Sequence, residues 1–181
     1  MGSFKDKKVK VGVIGGTFSL LHSGHKYLIR RALKVTDKLI IGVTSDTFVR
    51  KMDKKHPVEN FSTRVENLRK FLQNEGVLDR CTIVEINDFM GPAGSREDID
   101  LIVVTDETLQ GALEINEYRV RHGLNPLIII VIEALLDDKK LPISSTRLWL
   151  KGNLPLEDKG ANIVPSGNPE GKKKQSDNRS F

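Results

Sequence analysis

Two histidines stand three residues apart in the segment Gly15-Gly16-Thr17-Phe18-Ser19-Leu20-Leu21-His22-Ser23-Gly24-His25. Imidazole is the side chain suited to donate a hydrogen bond or a proton near neutral pH. A spacing of three puts His22 and His25 on one face of a helix that begins there, and a helix start offers free backbone N–H groups and a positive dipole end to an anion. Gly24 has no side chain, so a flat base or a phosphate can approach the backbone closely. The segment is not a common phosphate loop: the Walker spacing and the spaced glycine triplet of dinucleotide folds are both missing. Taken alone, either histidine also fits a surface or capping role, but two of them beside Gly15, Gly16 and Gly24 favour an anion site. No metal centre is expected, because no Cys, Asp or Glu stands nearby in the sequence to complete a ligand set.

Two further stretches carry chemistry. Ile143-Ser144-Ser145-Thr146-Arg147 precedes the apolar Leu148 to Leu150 and has the Ser/Thr character of a helix start. Lys51-Met52-Asp53-Lys54-Lys55 is a basic run, with Arg64 on the helix that follows. A solvated charge run and a surface ion pair are the ordinary readings of these cations.

The elements that must position these residues read as alternating strands and helices. Lys10–Ile14 is a β-branched run that stops at Gly15-Gly16, and Lys26–Val35 places Leu28, Ile29, Ala32 and Leu33 at helical spacing. Leu39–Val43 is a second buried-type strand. A polar stretch, Thr44 to Asn60, leads to a helix carrying Val65, Leu68, Phe71 and Leu72. Further strands are expected at Thr82–Ile86, Leu101–Val104 and Leu127–Ile132, with a helix at Thr108–Arg121. Strands apolar on both faces and joined by helical crossovers argue for an α/β fold with a parallel sheet covered on both sides. Such sheets bind ligands beyond the carboxyl ends of their strands.

Length and composition set the bounds. A chain of 181 residues is long enough for one buried core and too short for two full α/β domains. The domain is expected over 1–152. Residues 153–181, poor in large apolar side chains and containing Lys172-Lys173-Lys174, are expected to be a disordered tail. The longest apolar run, Leu127 to Ile132, is far below the roughly 20 residues of a membrane span, and no secretory leader opens the chain. With a single cysteine, Cys81, no disulfide framework can form, which suits a soluble protein of the cytoplasm. A net charge of +5, spread along the chain, favours anionic partners without separating nucleotides from nucleic acids.

The histidine segment resembles the T/HxGH signature of the nucleotidyltransferase superfamily, relatives of class I aminoacyl-tRNA synthetases. Ile143 to Arg147 is similar to that superfamily's ISSTxxR element. Between them, Gly91-Pro92-Ala93-Gly94-Ser95, Val103-Val104-Thr105-Asp106-Glu107-Thr108 and Ile115-Asn116 resemble the archaeal and eukaryotic branch of phosphopantetheine adenylyltransferases. The resemblance covers about residues 9 to 152. It implies a Rossmann-like doubly wound five-stranded parallel sheet in the order 3-2-1-4-5, the HxGH nucleotidyltransferase fold. The implied reaction makes dephospho-coenzyme A and pyrophosphate from ATP and phosphopantetheine, with magnesium accompanying the ATP. His22 and His25 are implied around the ATP phosphates, with His25 stabilising the transition state and Thr17 beside the transferred phosphate. Gly16 and Gly24 would face the nucleotide, Ser144, Ser145, Thr146 and Arg147 would hold its β- and γ-phosphates, and Thr105 and Asp106 would line the adenine side. Lys51, Lys54 or Lys55 is expected to neutralise the acceptor phosphate, with Arg64 a similar candidate.

There are departures from the family pattern. Ser19 stands where the family usually has an acidic residue. The Gly-Leu-Arg stretch of bacterial enzymes with this activity is absent, so their hexameric assembly does not carry over and a monomer is expected. Lys51 to Lys55 looks like the KMSKS loop of the synthetases but follows the second strand instead of the last. The nearest alternative is another superfamily transferase acting on flavin mononucleotide, nicotinamide mononucleotide or glycerol phosphate. The cytidylyltransferase pattern is disfavoured because its arginine and glycine are missing before Ile143. A nucleic-acid-binding module on the same fold has little support from 6% aromatic residues without an Arg-aromatic cluster, so no nucleic acid or membrane partner is expected.

Overall fold

A computed structural model describes residues 9–52, 54, 56–150, 152 and 163–164. The first apolar run forms β1 (Val9–Gly16) and passes through a 3-10 turn at Ser19–Leu21 into α1 (Ser23–Val35). Then come β2 (Thr36–Thr44), α2 (Asp46–Lys51), the two-residue β3 (Val58–Glu59) and α3 (Phe61–Asn74). The second half supplies β4 (Cys81–Ile86), α4 (Gly91–Ser95), β5 (Leu101–Val104), α5 (Leu109–Arg121), β6 (Ile128–Val131) and α6 (Ser145–Leu150).

The main sheet has the order β4-β2-β1-β5-β6 and every pairing in it is parallel. Counted among its own five strands, this is the expected 3-2-1-4-5. The numbering shifts only because β3, outside this sheet, intervenes. Alternate residues of each central strand enter opposite cores. Ile14, Leu39, Ile41, Val43, Leu101 and Val103 pack with Ile29, Ala32, Leu68 and Leu72 of α1 and α3. Val13, Ile40, Ile102 and Val104 pack with Ala112 and Ile115 of α5. Burial on both faces removes the polar alternation, which is why these strands read as continuous apolar runs.

The polar stretch after β2 is more ordered than its composition suggests. Ser45 caps α2 by accepting from Phe48 N at 3.0 Å, and Asn60 caps α3 by accepting from Thr63 N at 2.9 Å. β3 exists because it pairs antiparallel with β7 (Ile163–Val164), a hundred residues downstream. That pair falls within the 153–181 segment expected to be a disordered tail. The remainder of the 153–181 segment lies outside the described residues. Among the described residues no helix is long and apolar enough to cross a membrane.

Candidate active site

The order of the sheet reverses between β1 and β5, and the crevice beyond their carboxyl ends is where an open α/β sheet accepts a ligand. β1 ends at Gly16, and the chain must turn sharply to start α1. It does so with two non-glycine residues in the left-handed region, Phe18 at φ 54° and Leu20 at φ 55°. Such conformations cost on the order of 1–3 kcal/mol each and persist only where surroundings over-determine them. Here Phe18 is buried, and the Glu59 carboxylate grips the turn from β3. One oxygen accepts from Ser19 Oγ at 2.6 Å and the other from Leu20 N at 2.8 Å. Ser19 therefore does not leave the turn without a carboxylate. The acidic group comes from Glu59, forty residues along the chain, and its oxygens are occupied in shaping the loop.

The turn delivers His22 to the N-cap of α1 and His25 to its first turn. Their rings stack at a centroid separation of 3.7 Å and 20° between planes, with Phe18 5.2 Å from the His25 ring. Burial lowers His22 to a pKa of about 4. Burial, with the charges of His22 and Lys54 added, lowers His25 to about 3. Both imidazoles are thus neutral at neutral pH. Their Nδ1 atoms are buried without a partner among the described residues. An orphaned buried acceptor is tolerated better than an orphaned buried N–H, which places the proton on Nε2 of each ring. A β-carbon on Gly24 would meet the His22 ring at 3.1 Å and Ile143 O at 3.3 Å. A side chain there would press the His22 ring and the Ile143 carbonyl apart by a few tenths of an ångström, so glycine lets the two signatures close together.

They do close together. Ser145 Oγ donates to Ser19 O at 2.7 Å across 126 residues of sequence. Ser144 Oγ accepts from Arg147 N at 3.4 Å, and Thr146 Oγ1 lies 3.0 Å from His56 Nδ1. Arg147 donates to Pro142 O at 2.6 Å and to Asp137 at 2.8 Å, so part of its guanidinium braces the loop before α6 and only the remaining N–H groups are available to a phosphate. Thr105 closes the end of β5 in a reciprocal cap with Thr108, leaving Asp106 exposed beside it. Thr17 is half-buried and Gly16 lies against the Phe18 ring, 3.2 Å from where a β-carbon would sit.

The cations divide. Lys51 is exposed at the end of α2, whereas Lys54 is half-buried, and its charge is felt by His25 and His56. Burial lowers the Lys54 pKa. The side chain of Lys55 lies outside the described residues. Arg64 is not at the surface, contrary to its expected place as a substrate contact. It is fully buried and donates to Glu59 O and Thr17 O at 2.8 Å, to Thr44 Oγ1 at 3.2 Å and to Asp46 at 3.0 Å. These bonds tie its guanidinium to the Thr17 loop, to β2 and to α2, the setting of a brace beneath the loop. The sequence reading also missed Glu59 and His56. Glu59 had no local signal, while His56, adjoining the lysine run, could have been noticed as a titratable group there.

Residues 13–149 match the family described as cytidylyltransferase-like. The chain is 46% identical to a phosphopantetheine adenylyltransferase of Methanopyrus kandleri over 75% of its own length and 86% of the relative's. It is 39% identical to a bifunctional phosphopantetheine adenylyltransferase/NTP phosphatase of Thermoplasma volcanium over 86% of its length, spanning 45% of that longer protein. Among solved structures, a protein of unknown function from Archaeoglobus fulgidus superposes with a TM-score of 0.61 at 32% identity, over 69% of this chain and 99% of the other.

Proposed function

The chain belongs to the cytidylyltransferase-like family and, within it, to the archaeal-type phosphopantetheine adenylyltransferases, and on that premise we propose how its residues perform the transfer. It is a nucleotidyltransferase of coenzyme A biosynthesis, transferring AMP from ATP to phosphopantetheine with release of pyrophosphate. The observation that carries the residue-level reading is the meeting of the two signatures. The stacked histidines and the Ser144–Arg147 segment come together, tied by the Ser145–Ser19 hydrogen bond at 2.7 Å and by the approach of Ile143 O to Gly24.

An oxygen of the acceptor phosphate forms a bond to the α-phosphorus of ATP. The bond from that phosphorus to the bridging oxygen breaks, and pyrophosphate leaves with the electron pair. The nucleophile is already an anion, so no base is required and the protein's part is orientation and charge stabilisation. Neutral His25 and His22 donate hydrogen bonds from Nε2 to phosphate oxygens on which charge builds. Lys54 supplies the cation for the acceptor phosphate, and its half-burial supports choosing it over Lys51. Thr105 and Asp106, across the switch point, take the base, and Gly16, Thr17 and Gly24 let the nucleotide lie against the backbone.

Magnesium enters as part of the substrate, bound to the ATP phosphates. That ion prefers oxygen ligands and keeps much of its water, and the Glu59 carboxylate beside the loop is occupied by Ser19 and Leu20. A single cysteine, Cys81, whose thiol burial pushes up to about 11, suits a reducing cytoplasm.

The test is direct. Purified protein with magnesium, ATP and phosphopantetheine should yield dephospho-coenzyme A and pyrophosphate, with CTP a poor donor. Pyrophosphate release with flavin mononucleotide and none with phosphopantetheine would overturn the acceptor assignment.

A further inference from the structure

His56 is the buried titratable group that the transfer chemistry leaves unused. It is 4% exposed, in the connection between α2 and β3. One ring nitrogen, Nδ1, lies 3.0 Å from Thr146 Oγ1, ninety residues away on α6. The other, Nε2, is buried with no partner among the described residues. Burial above all, and then the nearby Lys54 charge, pushes the imidazole below its usual range against a smaller opposing pull from Glu59, so the ring is neutral and carries one proton.

Where that proton sits decides what Thr146 can do. A proton on Nε2 would leave a buried N–H without an acceptor among the described residues, an arrangement proteins rarely keep, whereas a buried lone pair without a donor is more readily tolerated. The proton therefore belongs on Nδ1, which donates to Thr146 Oγ1. A hydroxyl has one proton and two lone pairs. Once its oxygen accepts from His56, its own O–H is not drawn to the ring and is free to donate elsewhere. Phosphate oxygens only accept, so a hydroxyl helps bind a triphosphate only if its proton points outward.

We propose that His56 is a positioning residue for the nucleotide, its Nδ1–H holding the Thr146 hydroxyl so that the hydroxyl proton is presented to a triphosphate oxygen of ATP. The inference rests on reading Ser144–Arg147 as the element that holds the β- and γ-phosphates. It gives the loop after β2 a part in nucleotide binding besides the acceptor role of Lys54. It also explains why a buried imidazole sits in an otherwise charged connection.

Asparagine places an amide N–H near the position of Nδ1, and glutamine places one near Nε2, so the two substitutions separate the ring nitrogens. The full-length protein and the variants His56→Asn, His56→Gln, Thr146→Val and the double variant His56→Gln/Thr146→Val are compared. The measurements are kcat, KM for ATP and for phosphopantetheine, calorimetric Kd for inorganic tripolyphosphate, and Tm. His56→Gln and Thr146→Val should each raise the ATP KM and the tripolyphosphate Kd by about tenfold, the size of one hydrogen bond to a charged group. KM for phosphopantetheine should stay within about twofold, and the double variant should be no worse than Thr146→Val alone. His56→Asn should recover to within about threefold of the parent. If His56→Gln fails to fold, the half-exposed Thr146→Val and His56→Asn still decide the matter. Unchanged tripolyphosphate binding in Thr146→Val, equal damage from Asn and Gln, or multiplicative effects in the double variant would overturn the relay. A parent protein that binds tripolyphosphate with this ranking yet makes no dephospho-coenzyme A would sink the acceptor assignment and leave the relay standing.

Discussion

Replacing Arg64 with methionine separates the two places this arginine can have, a wall of the acceptor site or a brace beneath the phosphate loop. The side chain is 0% exposed, and its guanidinium donates to Glu59 O, Thr17 O, Thr44 Oγ1 and Asp46 Oδ1. Methionine fills much of the volume but donates nothing. The part-buried carbonyls of Thr17 and Glu59 and the buried Thr44 hydroxyl then lose a donor, at up to about 1–3 kcal/mol for each acceptor left unsatisfied. Asp46 is partly open to water and also accepts from Phe61 N at 2.7 Å, so it recovers some of its loss. Relief from desolvating the guanidinium offsets another part. The net destabilisation should be about 3–5 kcal/mol, the range for breaking a buried ion pair, or a fall in Tm of about 6–20 °C for a domain of this size. Urea titration and calorimetry measure it directly. In the same protein kcat should fall, because Thr17 and the left-handed turn lose a tether, while KM for phosphopantetheine changes little. A variant that keeps its stability to within about 1 kcal/mol but shows a large rise in acceptor KM would refute the reasoning and return Arg64 to the substrate.

His25→Ala should lower kcat by about 10²–10³ with little change in ATP affinity, and His22→Ala, at the N-cap, should cost less in rate and more in affinity; a His25→Ala enzyme with parental kcat would make that ring a spectator. The same two histidines tie stability to pH. Their folded pKa values, about 4 and 3, lie below the ordinary 6.5, so the unfolded chain binds more protons between these limits. The stabilisation is fully present above about pH 6.5 and is lost as pH falls toward 4 and 3. Unfolding free energies of the ligand-free protein measured across that window should decline toward acid, and the decline should be shallower in His25→Ala.

The strands of the main sheet and the helices α1, α3 and α5 were legible in the sequence because each is a local pattern. Val11 to Ile14 and Leu101 to Val104 are apolar on both faces, and the spacing of Leu28, Ile29, Ala32 and Leu33 marks one side of a helix. The two signatures were legible for a different reason. Gly24, His22 and His25 stand within four residues of one another, and Ile143 to Arg147 are contiguous, so each motif can be read from a short stretch of chain without knowing what packs around it. Only the tertiary structure decided the rest. α2 is six residues long, too short for a periodicity, and β3 is two residues that become a strand only when β7 arrives beside them. Arg64 sits in a polar helix start that reads as surface, and nothing local says that Thr17, Thr44 and Asp46 converge on it. Glu59 and His56 gain their roles from Ser19 and Thr146, which lie forty and ninety residues away in the chain. Burial and hydrogen bonding are properties of pairs, and a pair distant in sequence leaves no mark on the neighbours of either member.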